Sequence, residues 1–259
     1  METSSCAVLI TELMTSGTLG NFVRQAGGVI LSVIKGWCKQ ILSGLKYLHQ
    51  HNPRIIHRDV KLDNIFYQGA KGNLKIGDLG FATMLDSPKS VSGTPNYMAP
   101  ELYEERYNEK VDIWAFGMCV IEMITLECPY IEFNNNISHI YEAVTIKCLL
   151  PQSLMKIKDS DIVEFICCCL ERDVEKRLSS EALLQHPFLN EKSDSDGEMV
   201  ELRNDEEFRK YVMEFALTKE GWTKYLDDTI FKKKSAPIPI PRLPVGDCGN
   251  LDLSCDESE

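Results

Sequence analysis

The chain has 259 residues, 44% hydrophobic and 26% charged, a balance that excludes a fibrous or wholly disordered protein and suffices for one large domain or two small ones. Its 39 acidic against 28 basic residues leave a net charge of −11, which excludes broad electrostatic binding to nucleic acid or to an anionic membrane. No apolar run approaches the roughly 20 residues of a membrane span, and the start METSSCAVLITELMTSG lacks a basic n-region, so a cytoplasmic protein, of cytosol or nucleus, is expected. In chain order, residues 7–13 predict a short strand running into a polar turn at 15–17. Over residues 29–50 the apolar positions Val33, Trp37, Ile41, Leu45 and Leu48 recur at three and four, which predicts an amphipathic helix. Short apolar runs at 54–56, 64–66 and 74–76 predict short strands whose loops are good places for chemistry. Residues 110–127, KVDIWAFGMCVIEMITLE, are apolar on most sides and predict a buried helix, in which Asp112 is a polar exception that needs a partner.

Two further helices are predicted at 160–170 and 179–185, the second opening on a Ser with Glu181 behind it and running into His186-Pro187-Phe188. Of the ten cysteines, Cys167, Cys168 and Cys169 are consecutive in the first of these helices. Helical spacing points them in different directions, so a buried reduced cluster is expected, and no C-x-x-C pair or His at ligand spacing supports zinc. Beyond residue 190 the composition shifts: residues 190–259 hold seventeen acidic against ten basic residues and so most of the net charge. EKSDSDGEMVELRNDEE reads as a linker, and 207–230 as one more amphipathic helix or a helical pair interrupted at Gly221. FKKKSAPIPIPRLP, a basic triplet and a Pro-alternating stretch, cannot be helical; it suits an SH3-like groove or a flexible solvated linker. No internal repeat is seen.

Three signatures carry the chemistry: His57-Arg58-Asp59-Val60-Lys61-Leu62-Asp63-Asn64, then Asp78-Leu79-Gly80, then Gly93-Thr94-Pro95-Asn96-Tyr97-Met98-Ala99-Pro100-Glu101. Phosphoryl transfer needs an acceptor hydroxyl aligned with a phosphate and developing negative charge neutralised, which calls for one carboxylate beside hard oxygen ligands for Mg²⁺. In this order and spacing the three strings resemble the catalytic loop, the metal-binding turn and the end of the activation segment of eukaryotic protein kinases. The resemblance implies Asp59 as the group that accepts the hydroxyl proton, Asn64 and Asp78 as Mg²⁺ ligands, and Lys61 as a cation on the γ-phosphate of ATP, the pattern of serine/threonine acceptors on protein substrates. It implies structural roles for His57 and Leu79 in the apolar column between lobes, for Asp112 in holding the catalytic-loop backbone, and for Glu101 paired with Arg177. It also makes residues 11–14 the hinge, with the Glu12 carbonyl and Met14 amide offered to adenine and Phe66 as apolar floor.

Several strings, among them LITELMTSGTL, IIHRDVKLDNIF, LKIGDLGFAT and GTPNYMAPELYEERY, resemble the with-no-lysine kinases more closely than kinases in general, over about residues 7–189. That resemblance implies an activating autophosphorylation at Ser90, ordered against Arg58, in ion- or osmotic-stress-type signalling. Ser92 is a second hydroxyl nearby that the family pattern does not usually show, read here as a solvated loop serine. A chloride site at Leu79, Gly80 and Phe81 is a further implication, in which Phe81 departs from the common leucine. The expected fold is α+β, mainly α-helical: the hinge and C-terminal lobe of a kinase over 1–189, followed by an acidic tail over 190–259. The glycine-rich loop, its lysine and the helix with the partner glutamate are not in the sequence, so the nucleotide-covering N-terminal lobe is expected to be missing and little activity is expected of the chain alone. A truncated form of an active kinase and an inactive lobe-only scaffold both stand; the kept Asp59, Asn64 and Asp78 favour the first.

Overall fold

In the computed structural model the described residues are 11–68, 72–84, 90–192 and 194–202. The helix expected at 207–230, the Pro-rich stretch and residues 7–10 of the expected first strand lie outside them, and residues 11–13 carry no regular structure. The first element among the described residues is a helix, α1 (Leu19–Ala26), opened by the Thr18 hydroxyl, which accepts from the Asn21 amide at 3.3 Å, and closed at Gly27 with φ 66°. Its buried side is Leu19, Gly20 and Val23, with only two apolar side chains four apart, too short a pattern to register in the sequence.

Helix α2 (Leu31–His49) buries Leu31, Ile34, Trp37, Cys38, Ile41, Leu42 and Leu45. The stripe is turned slightly from the one expected, since Val33 is exposed and Ile34 takes the core. Strands β1 (Ile55–Ile56), β2 (Ile65–Gln68), β3 (Asn73–Ile76) and β4 (Thr83–Met84) form two antiparallel pairs, β1 with β4 and β2 with β3, in the register Ile65 to Ile76 and Gln68 to Asn73. The sheets are small; their work is to hold the loops between them.

Helix α3 (Lys110–Thr125) is the centre of the body, buried at every residue after Lys110. Each fully buried Ile, Val or Phe on it contributes about 1.5–3 kcal/mol. At Gly117 a Cβ would stand 2.8 Å from Cys169 Cβ and 2.9 Å from Leu170 Cδ2, so the missing side chain is what lets α3 close on α5 (Ser160–Cys169). Around this pair lie α4 (Ile137–Tyr141), which widens into a π turn over Glu142–Ile146, α6 (Ser180–Leu184) and α7 (Pro187–Asn190).

The described residues beyond α7, as far as 202, stay on this body. Glu198 O accepts from Leu31 N at 3.0 Å, Met199 bridges to Ile30 and Leu202 to Ile157, and Lys158 pairs with Glu201 at 2.7 Å. Lys35, nearly buried on α2, holds Asp196 at 2.6 Å and the Glu191 carbonyl at 3.2 Å. The seven described cysteines are free; Cys167 and Cys169 are buried while Cys168 is half-buried, 3.9 Å from His186 Nε2. Burial pushes the Cys38, Cys119, Cys167 and Cys169 thiols up, which makes them inert packing groups. Among the described residues no group of three His, Cys, Asp or Glu side chains is placed to hold a metal.

Candidate active site

The loop after β1 is built around a single buried carboxylate. Asp112, fully buried on α3, accepts from the His57 amide at 2.9 Å, from the Arg58 amide at 2.8 Å and from His49 Nε2 at 2.8 Å. Those three donors are the partners that so apolar a helix must supply to a buried charge. His57 donates from Nε2 to Gly77 O at 2.9 Å and accepts at Nδ1 from the Asp59 amide at 3.3 Å, one neutral tautomer serving both bonds and linking the loop to the segment after β3. Arg58 has φ 67°, a left-handed conformation that this set of bonds compensates. Gly93 packs on it so closely that a Cβ would meet Arg58 O at 2.6 Å, and its φ of 137° is one that L side chains rarely adopt.

That seat presents Asp59, 3% exposed, to the cleft. One of its oxygens accepts from the Thr94 hydroxyl at 2.6 Å; the other accepts from Asn64 Nδ2 and from Lys61 Nζ, both at 2.8 Å. Lys61 also donates to Thr94 Oγ1 at 2.8 Å, closing a ring of three groups, Asp59, Lys61 and Thr94, with Asn64 bonded to it at Asp59. Desolvation by burial would raise the Asp59 pKa, but the hydrogen bonds from Lys61, Thr94 and Asn64 outweigh it and hold the carboxyl below its usual range. A carboxylate so held is a weak base in the ground state and a good orienting acceptor for a hydroxyl. Asn64 spends its Nδ2 on Asp59, at the carboxylate and at the backbone carbonyl, so its amide oxygen is the atom left to face a ligand. Asp78 is exposed in a left-handed conformation, with Oδ1 accepting from Gly80 N at 3.2 Å. An amide oxygen and a carboxylate are hard donors that fit Mg²⁺.

Glu12 is exposed and its carboxylate pairs with Lys75; Met14 is half-buried; the Phe66 ring lies against Gly77, where a Cβ would meet it at 2.5 Å. Leu79 and Phe81 are 54% and 45% exposed, and the Gly80 amide is already used by Asp78. Ser90 lies against Arg58: the guanidinium donates to Ser90 O at 3.2 Å and to Ser90 Oγ at 3.1 Å, while its Nε donates to Phe81 O at 2.6 Å. Glu101 and Arg177 form a buried bidentate pair, one arm at 3.1 Å, with Arg177 also over the Trp114 ring.

Three groups at the site were not singled out by the sequence. Thr94 sits within the third string but only the fold brings its hydroxyl to Asp59, 35 residues away. Tyr107, 3% exposed, donates to Ser90 O at 3.1 Å and accepts from Arg58 at 3.1 Å. Arg24 of α1 bridges Asp63, in the catalytic-loop string, to Glu122 of α3, whose other oxygen accepts from Tyr97 at 2.6 Å. Burial raises the Glu122 pKa, opposed by the Tyr97 bond and by Arg24. No local signal could have joined Arg24 to a carboxylate 98 residues on.

Comparison with known proteins gives a match over residues 1–189 to the protein kinase domain. The chain is 46% identical over 203 residues to serine/threonine-protein kinase WNK3 of Mus musculus, covering 78% of this chain and 11% of that protein. It is 46% identical over 214 residues to serine/threonine-protein kinase WNK2 of Homo sapiens, covering 82% of this chain and 9% of that protein. It is 48% identical over 185 residues to serine/threonine-protein kinase pkpA of Phycomyces blakesleeanus, covering 70% of this chain and 30% of that one. The chain thus spans about a tenth of the length of the animal relatives and under a third of the fungal one.

Proposed function

The chain belongs to the protein kinase domain family, among serine/threonine kinases of the with-no-lysine type, and from that premise we propose that it carries the acceptor side of a phosphotransfer site acting on Ser or Thr of cytoplasmic protein substrates. The observation that carries this is the ring of Asp59, Lys61 and Thr94, buttressed by Asn64 at Asp59, in which a hydroxyl already donates to Asp59 and receives from Lys61. An acceptor hydroxyl entering there is oriented by the Asp59 carboxylate and gives up its proton to it as the new P–O bond forms. Lys61 offers positive charge to the transferring group, and Thr94 keeps Asp59 ionised and aimed. Asn64 and Asp78 would hold Mg²⁺, which when bound supplies charge neutralisation of the ATP phosphates. The Glu12 carbonyl, the Met14 amide and Phe66 would meet the adenine.

The 259-residue polypeptide by itself binds nucleotide weakly and transfers little, since its sequence holds no glycine-rich loop. The retained donors at Asp59, Asn64 and Asp78 support a catalytic rather than a scaffold reading. Phosphate on Ser90, adding about −1.5 to −2 charge beside Arg58, orders the activation segment. Chloride at Leu79–Phe81 has to compete with Asp78 for the Gly80 amide, so it acts by loosening that turn; equal autophosphorylation in chloride and in a larger inert anion would remove this element. The test of the whole proposal joins the nucleotide-covering lobe of a with-no-lysine relative ahead of residue 11. Transfer to a serine acceptor is expected, falling by about 10²–10⁴ in Asp59→Asn and strongly reduced in Ser90→Ala. An inactive joined protein, or an active one indifferent to Asp59, overturns it. Efficient Asp59-dependent transfer by the 259-residue chain alone overturns the weak-activity element.

A further inference from the structure

We propose that Ser92 is a second phosphate-accepting hydroxyl and that the Arg58–Tyr107 pocket holds one phosphate, from either serine, but not two. This rests on the assignment of Ser90 as a phosphorylation site and extends it to a residue the family pattern does not supply. The Ser92 and Ser90 hydroxyls are 3.3 Å apart, Ser92 half-buried and Ser90 exposed. Arg58 reaches Ser90 Oγ at 3.1 Å, so Ser92 Oγ stands at most two hydrogen-bond lengths from the guanidinium, a gap that the longer arm of a phosphate ester closes. The pocket is rigid before any phosphate arrives: Arg58 is fixed by Phe81 O and by the Tyr107 hydroxyl, and its backbone amide by Asp112. Preorganised donors of this kind are what charge-assisted phosphate binding requires.

The limit of one phosphate follows from charge. Of the hydrogen-bond donors described around these hydroxyls, Arg58 is the cation and Tyr107 the one neutral group, while each phosphate brings about −1.5 to −2 charge. Two esters a hydrogen bond apart would repel more than a single guanidinium can offset. The step itself balances in the ordinary way. Ser92 Oγ forms a bond to the γ-phosphorus of a nucleoside triphosphate, the bond to the β-bridging oxygen breaks, the diphosphate leaves, and the hydroxyl proton passes to the catalytic carboxylate of the kinase molecule that performs the transfer.

The test uses the full chain with phosphoserine encoded at 90, at 92 and at both, followed by ³¹P titration and thermal melting. At either single position the second phosphate pKa should fall below the usual value of about 6 and the melting midpoint should rise by about 2–4 °C, and Tyr107→Phe, which keeps the ring, should shrink both effects. In the doubly modified chain one phosphate should titrate low, the other at or above about 6, with no further rise in midpoint. A free-like titration at 92 beside a shifted one at 90 overturns the proposal and leaves the Ser90 assignment standing; free-like titration at both positions overturns the two together. Two low-titrating phosphates in one chain overturn the limit. Incubation with Mg-ATP and the active kinase domain of a with-no-lysine relative should give peptides singly phosphorylated at 90 or at 92. No label at 92 in a chain labelled at 90 also overturns the proposal.

Discussion

Asp112 shows how far one residue sets the site. Its two oxygens take three buried donors, two of them the amides that fix the catalytic-loop string. Asp112→Asn keeps the shape but replaces one accepting oxygen with a donor facing donors, so it should cost about 1–3 kcal/mol for each stranded group, read from urea melts. Loop order should suffer before global folding, seen as faster exchange of the His57 and Arg58 amides. Asp59 carries a pH signature of its own. Desolvation alone would raise its pKa, and Lys61, Thr94 and Asn64 lower it below its usual value. A folded-state pKa below the unfolded one adds stability that is full above the unfolded value and lost as pH falls through the folded one. Lys61→Met removes the principal opposing bond, so its deficit in melting temperature should be greatest near neutrality and close as pH drops through the ordinary Asp value of about 4. A deficit independent of pH would mean that Lys61 packs rather than pairs.

Between elements, the informative link is Arg24. From α1 it ties the catalytic-loop string at Asp63 to the buried Glu122 of α3. Arg24→Ala leaves Glu122 against Tyr97 with no cation, a cost of about 1–3 kcal/mol after allowing for the half-exposed arginine. Because Arg24 opposes the desolvation that raises the Glu122 pKa, the variant should raise it further. A raised carboxyl favours the folded state when protonated and loses that as pH climbs, so the deficit should grow with pH and vanish in Arg24→Ala/Glu122→Gln. A double variant no more stable than the single one would show that the pair is decorative. This link also marks what the sequence could and could not say. The three catalytic strings were legible because their residues are contiguous and chemically committed, and α2 and α3 because their periodicity is long. Helix α1 was not, with two core residues and a glycine in eight positions, and neither was the meeting of Thr94 with Asp59 or of Tyr107 with Ser90, which depends on loops folding back over the body.

At the scale of the molecule, the packed body does not stop at Leu189, where the globular hydrophobic pattern fades. Helix α2 opens at Ile30 with no side-chain cap and no acid in its first turn, so its end needs both a hydrogen-bond acceptor and negative charge. The segment at 194–202 supplies them: Glu198 O takes the Leu31 amide, and Asp196 takes Lys35 one turn in, over the Phe188 ring. An acidic stretch that reads as linker is therefore the N-terminal cap of the helix whose far end, His49, holds Asp112. The dependence is testable by comparing chains that end at 202 and at 192. Losing the Leu31 bond, the nearly buried Lys35 pair and the contacts of Met199 and Leu202 should cost about 2–3 kcal/mol, a fall of roughly 4–10 °C in melting temperature. Exchange of the Leu31 amide should rise with it, and Lys35→Met in the longer chain should reproduce part of the loss seen in the shorter one. Equal melting temperatures would show that the segment merely rests on α2, and that the helix holds its catalytic end without help from beyond α7.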